Sequence, residues 1–205
     1  SNKMMKKSKR SDVDPFIVMD VMESARIAEE KGKDIIHMEV GQPGTPAPKI
    51  AKDYITNEIN KNNLGYTVSL GLPALRAKIS KLYGDWYNLD LNPNRIVVTT
   101  GSSGAFILSF SALFDSGDRV GIGSPSYPSY RQILKSLSLE TVDIQTKLQN
   151  RFQPVPEDIT NNNLNGILVA SPANPTGSML DKQSLENLIN TANENNVSFI
   201  SDEIY

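Results

Sequence analysis

The chain contains no cysteine. That excludes a disulfide framework, a thiolate nucleophile and every thiol-based metal centre. A single histidine, His37, stands in 205 residues, which removes His-rich metal sites and argues against a Ser-His-Asp triad. No apolar stretch approaches the roughly 20 residues that a membrane-spanning helix needs, so no membrane partner is expected. Charge of one sign is also lacking: a net charge of -2 gives no reason to expect nucleic acid as a partner. There is no internal repeat, and no low-complexity segment beyond the short run Asn161-Asn162-Asn163.

What is present is the composition of a water-soluble globular protein. Hydrophobic residues make up 39% and charged residues 21%, with twelve prolines dividing the apolar runs. This length suits one large domain, or a domain with part of a second. Lys3, Lys6, Lys7, Lys9 and Arg10 crowd the first ten residues. They read as a solvated, frayed tail, with a polybasic arm for a membrane or nucleic acid as the alternative. Ser1-Asn2 ahead of Met4-Met5 reads as a vector-derived remnant. With no signal peptide visible, the cytoplasm is the expected compartment.

Asp14-Pro15 reads as a helix start, followed by apolar residues at helical spacing from Ile17 to Ala25 and by Gly32 as the stop. A short strand is expected over Ile35–Val40, and helices over Pro48–Asn60 and Leu72–Tyr87. Ile96-Val97-Val98 reads as a strand entering the turn Gly101-Ser102-Ser103-Gly104, with a helix over Ala105–Phe114. Then come strand Arg119–Gly123, helix Ser129–Leu137, strand Glu140–Ile144, a proline-bearing loop, strand Gly166–Ala170, helix Lys182–Asn195 and strand Val197–Ser201. Short apolar strands alternating with helices predict an α/β fold with a mainly parallel sheet covered on both faces. The chain stops at the end of a predicted strand, where open α/β sheets place ligand-binding residues. It is therefore expected to be incomplete.

Several segments carry candidate chemistry. A strand, the Gly101–Gly104 turn and a helix would offer free backbone N–H groups and the positive helix end to a phosphate, though a plain tight turn fits the same residues. There is no Walker lysine and no GxGxxG, so neither ATP nor NAD is indicated. Asn174, between prolines in Ser171-Pro172-Ala173-Asn174-Pro175-Thr176-Gly177, offers an amide to a ligand or caps its own turn. Asp202 is suited to a cationic ring nitrogen or to a helix N-cap. Tyr205 would lend its hydroxyl to the same ligand or pack. Tyr127 would stack on an aromatic cofactor or lie in the core, and His37 reads as a structural histidine.

Taken in order, these segments resemble the class I/II aminotransferases, the fold-type I enzymes of pyridoxal 5′-phosphate (PLP). The strongest marks are Ser171–Gly177 and Ser201-Asp202-Glu203-Ile204-Tyr205. Glu39-Val40-Gly41-Gln42-Pro43, Gly65-Tyr66-Thr67, Gly71-Leu72-Pro73-Ala74-Leu75-Arg76 and the Thr100–Gly104 turn support them. The resemblance covers about Asp14 to Tyr205. It implies that the N–H groups of Ser102 and Ser103 hold the PLP phosphate, helped by Gly104, and that Tyr127 stacks on the ring. It also implies that Asn174 and Tyr205 bond the phenolic oxygen and that Asp202 pairs with the pyridinium nitrogen. Gly41 would lie near the substrate carboxylate, and Tyr66 would reach the cofactor phosphate across the interface of a homodimer with a shared active site.

The same resemblance implies three parts: a disordered basic tail over 1–13, a helix and strand of a small domain over 14–47, and a PLP-binding large domain over 48–205. Amino acid and 2-oxo acid would exchange an amino group by a ping-pong route. The family's Schiff-base lysine lies beyond the Asp-Glu-x-Tyr segment. Lys147 and Lys182 stand in the wrong context to replace it, so this chain alone is expected to be inactive. It would keep weak noncovalent hold of PLP, or of phosphate or sulfate in its place. A lyase, decarboxylase or synthase of the same fold is the alternative enzyme. A noncatalytic ligand-binding fragment or regulatory module is the alternative of another class.

Overall fold

The computed structural model describes residues 5–205; Ser1–Met4, with Lys3 of the basic run and the expected remnant, lie outside the described residues. The chain forms two compact units. One combines the described residues up to Phe16 with Gly101–Tyr205, and the other is Ile17–Thr100. Among the described residues no helix is long and apolar enough to cross a membrane.

The first unit is built on four parallel strands, β1 (Arg119–Ser124), β2 (Glu140–Gln145), β3 (Gly166–Ala170) and β4 (Ser198–Asp202), in the order β2-β1-β3-β4. The α/β fold with a parallel sheet is thus the one expected. Strand alternation divides the side chains between two faces. On one face Val120, Ile122 and Leu168 pack with Phe106, Phe110, Tyr130 and Leu134 from helices α4 (Gly101–Leu113) and α5 (Ser129–Ser136). On the other, Ile144, Ile167 and Val169 pack with Ile159 of α6 (Pro156–Thr160) and with Leu188 and Ala192 of α7 (Lys182–Glu194). The buried pairs Tyr130/Leu134 and Leu188/Ala192 are spaced i,i+4, which puts each pair on one helix face. Asp181 caps α7 by accepting from the Ser184 N–H at 2.8 Å.

Gly166 shows how α4 is seated. A Cβ there would lie 2.2 Å from Cζ of Phe114, just past the end of α4. Phe106, nearer the start of α4, meets Tyr130 edge-on at 5.4 Å. The last turn of α4 therefore sits at the beginning of β3, and its first turn points toward the carboxyl ends of the strands. Because β1 connects on one side to β2 while β3 and β4 lie on the other, the chain reverses its winding between β1 and β3. The crevice outside that point is where ligands bind in open α/β sheets.

The second unit holds α1 (Ile17–Glu30), α2 (Lys49–Ile59) and α3 (Pro73–Tyr87). Arg76 of α3 is buried and donates to the carbonyls of Pro93 and Ile96 and to Asn94, at 3.0–3.2 Å. Its fork thereby pins the 93–96 segment. Gly71, at φ +105°, approaches Val98 so closely that a Cβ would sit 2.5 Å from Val98 Cγ2. His37 is bracketed by Glu39 at 2.6 Å on Nδ1 and Glu29 at 2.7 Å on Nε2. The two carboxylates, Glu39 above all, raise its pKa from 6.5 to about 9.

Five expectations need correction. Asp14-Pro15 does not open α1, which begins at Ile17; the Asp14 carbonyl instead accepts from Gln132 at 3.0 Å in the first unit. Ile35–Val40 and Ile96–Val98 form no strand among the described residues. A β-branched run needs a neighbouring backbone to become a strand, and the described segments offer Val98 only the Leu70 carbonyl at 2.9 Å. The Gly101–Gly104 segment is not a turn ahead of a helix but the first turn of α4 itself. The loop with Pro154 and Pro156 contains the short helix α6, with Pro156 in its first turn, where a missing N–H costs nothing.

Candidate functional site

The site is assembled from strand ends and one helix start in the first unit. Asp202 is the last residue of β4 and is half-buried. Its Oδ2 accepts a hydrogen bond from the Tyr130 hydroxyl. Tyr130 is only 3% exposed and packs against Phe106 and Tyr127. Burial first, and then the Asp202 carboxylate, push the Tyr130 phenol well above its ordinary pKa, so it keeps its proton and remains a donor. Asp202 caps no helix among the described residues. Among the described residues its other carboxylate oxygen, Oδ1, has no hydrogen-bond partner.

One strand over, β3 runs into the 171–178 loop. The Ser171 N–H bonds the Asp202 carbonyl at 3.3 Å, which ties the loop's base to the end of β4. Within the loop the Gly177 N–H reaches the Ala173 carbonyl at 2.7 Å and the Ala173 N–H reaches the Ser178 carbonyl at 3.0 Å. The loop holds its shape through backbone bonds and two cis peptides, Ser171-Pro172 and Asn174-Pro175. Asn174 is exposed, and its amide has no hydrogen-bond partner among the described residues. It does not cap its own turn and is available to a ligand.

Ser102 and Ser103 lie exposed in the first turn of α4, with Gly104 half-buried behind them. The first four N–H groups of a helix lack intrahelical acceptors and carry the positive end of the helix dipole. Tyr127 follows the third cis peptide, Ser124-Pro125, and is half-buried between Phe16 and Tyr130, edge-on to both at 5.9 and 5.6 Å. Tyr205 lies three residues beyond Asp202 and is 72% exposed. Gly41 and Tyr66 belong to the second unit, where the Tyr66 ring is fully exposed.

Three residues escaped the reading of the sequence. Tyr130 carries a faint signal: it stands in the first turn of α5, three positions after Tyr127, and the two rings meet edge-on. Gln153 is 4% exposed and donates into the Asn174 loop. The Ser126 hydroxyl is the one buried side-chain polar atom without a partner among the described residues. Ser126, Gln153, Tyr130 and Asn174 line one small cavity of about 20 Å³ at the β1–β3 crevice. A carboxylate, a free amide and a row of N–H groups stand at the same end of one sheet. They can hold a planar cation, its neighbouring oxygen and an anion.

Relatives carry the same arrangement of elements. A valine–pyruvate aminotransferase of Mycobacterium tuberculosis is 40% identical over 198 residues, covering 96% of this chain and 51% of that protein. A solved Silicibacter pomeroyi protein is 58% identical with a TM-score of 0.87, covering 98% of this chain and 52% of that one. The structure of an aminotransferase from Mycobacterium tuberculosis is 39% identical with a TM-score of 0.93, covering 98% of this chain and 53% of that one. The chain spans about half the length of the curated relatives it matches. Residues 33–205 match the family model of aminotransferase class I and II, and the chain belongs to that family.

Proposed function

We propose that this chain is the cofactor-gripping N-terminal half of a PLP-dependent aminotransferase that moves an amino group between an amino acid and a 2-oxo acid. The observation that carries the reading is the Tyr130–Asp202 pair, set at the carboxyl end of β4 and tied through Ser171 to the Asn174 loop. The donor set fits each part of PLP. The carboxylate of Asp202 suits the pyridinium nitrogen, and the amide of Asn174 with the hydroxyl of Tyr205 suits the phenolic oxygen. The N–H groups of Ser102 and Ser103, with Gly104, suit the phosphate, and Tyr127 suits the ring face. Tyr66, fully exposed, is assigned to the phosphate of a partner subunit in a homodimer, and Gly41 to the substrate carboxylate.

When bound, PLP supplies an electron sink for the charge left on the substrate when its Cα proton is removed. The chain's own residues make that sink effective. Asp202 favours the protonated ring nitrogen by placing a negative charge against it. Tyr130, protonated and buried, fixes the orientation of that carboxylate by engaging Oδ2 and leaving Oδ1 open. The α4 N-terminus binds and orients through the phosphate, which sets the ring's register against Asp202 and Asn174.

The names of the relatives support amino acid and 2-oxo acid as the two substrates: one is named for valine and pyruvate, another, from Thermotoga maritima, for aspartate. The Schiff-base lysine is assigned to the part of the full-length protein beyond Tyr205, which leaves this chain inert by itself. Two measurements test this. Borohydride reduction with PLP, read by intact mass, should fix one cofactor on the full-length protein and none on this chain. An amino acid added to the full-length holoenzyme should give one equivalent of pyridoxamine 5′-phosphate and one of 2-oxo acid. Release of carbon dioxide or of an eliminated group instead would overturn the aminotransferase reading.

A further inference from the structure

We infer that Gln153 is a positioning residue for Asn174, acting through the base of the 171–178 loop. The inference rests on the reading above that Asn174 faces the cofactor. Gln153 Nε2 donates to the Ala170 carbonyl at 2.9 Å and to the Ser178 carbonyl and hydroxyl, both at 3.2 Å. Ala170 is the last residue of β3 and Ser178 the far end of the loop, so one amide closes the loop on the strand that launches it. Asn174 stands at the apex, and its side chain has no partner of its own among the described residues. Only the backbone beneath it sets where its amide stands.

The geometry on the Gln153 side is equally determined. Arg151 and Phe152 are consecutive non-glycine residues at φ +54°, a conformation that persists only where its surroundings enforce it. The turn that enforces it is closed by N–H bonds from Arg151 to the Leu148 carbonyl, from Phe152 to the Lys147 carbonyl and from Gln153 to the Asn150 carbonyl, at 2.9–3.0 Å. It delivers a side chain that is 4% exposed to acceptors on the opposite side of the crevice. All three acceptors are oxygens, so a donor is required there, and the amide supplies two hydrogens in one plane.

The test uses the full-length protein and pyridoxamine 5′-phosphate, which binds without a covalent link, followed by titration calorimetry. Gln153→Leu and Asn174→Ala should each lower affinity about fivefold to tenfold, the effect of one neutral hydrogen bond. The double variant should stay within about twofold of Asn174→Ala, because coupled residues are not additive. Gln153→Glu keeps the side-chain shape but loses its donor when ionised, so its affinity should fall at neutral pH and recover relative to wild type as the pH is lowered. That recovery is a readout a merely structural role does not give, and it serves if Gln153→Leu fails to fold. Affinity lost in Asn174→Ala but kept in both Gln153 variants, or full additivity in the double variant, overturns the positioning role and leaves the cofactor reading standing. Unchanged affinity in both Asn174→Ala and Asp202→Asn overturns the cofactor reading and the positioning role with it.

Discussion

The Tyr130 hydroxyl donates to Oδ2 of Asp202, joining a helix on one face of the sheet to the end of a strand 72 residues later. Tyr130 is also wedged edge-on between Phe106 and Tyr127. Its ring is thus fixed by packing, and its hydroxyl in turn fixes the carboxylate. A charged group so held is pre-oriented for a ligand and does not have to reorganise when one arrives.

Tyr130→Phe keeps the ring and removes only the donor. A hydrogen bond to a charged group contributes about 1.5–3 kcal/mol, so affinity of the full-length protein for pyridoxamine 5′-phosphate should fall by at least about tenfold. The edge contacts with Phe106 and Tyr127 remain, and the melting temperature should move little. A large loss of melting temperature with unchanged affinity would show that the hydroxyl serves only the core.

Gly166→Ala tests how α4 is seated. The added methyl would stand 2.2 Å from the Phe114 ring, and overpacking of this kind costs about 1–3 kcal/mol. Denaturant unfolding should show that loss, and Phe114→Leu in the same chain should recover part of it. Wild-type stability in Gly166→Ala alone would contradict the close approach.

His37 gives the second unit a dependence on pH. Its pKa is raised from 6.5 to about 9 by Glu39 and Glu29, so protonation favours the folded form. The stabilisation is present in full below about pH 6.5 and is lost as pH rises through about 9. Thermal melts of the wild type should decline across that window, and those of His37→Gln should not. Added salt should shrink the difference, because the His37 and Glu29 side chains are about half exposed.

Much of the fold was legible in the sequence where a pattern and its punctuation agree. β3 has the expected bounds, Gly166–Ala170, because a short apolar run lies between turn residues. Helices α2, α3, α5 and α7 fall within two residues of their expected limits, for the same reason. Ile35–Val40 and Ile96–Val98 were misread, since composition reports a preference for strand but not the presence of a partner. α4 began early because glycine and serine read as a turn although the first helical turn tolerates both. In the site, Asp202 and Asn174 were legible as strand-end residues. Tyr130 and Gln153 were not, because their partners lie 72 and 17–25 residues away and only the sheet topology brings them together.

The most direct test of the central claim is the protonation state of the cofactor's ring nitrogen. Pyridoxamine 5′-phosphate labelled with ¹⁵N in the ring would be bound to the full-length protein and to Asp202→Asn, at a pH where the free ring nitrogen is unprotonated. The wild-type nitrogen should show the chemical shift of a pyridinium and the variant that of a neutral pyridine, with turnover lower by about a hundredfold or more, the scale on which removal of a preorganised electrostatic group acts. The same neutral shift in both proteins would contradict the assignment of Asp202.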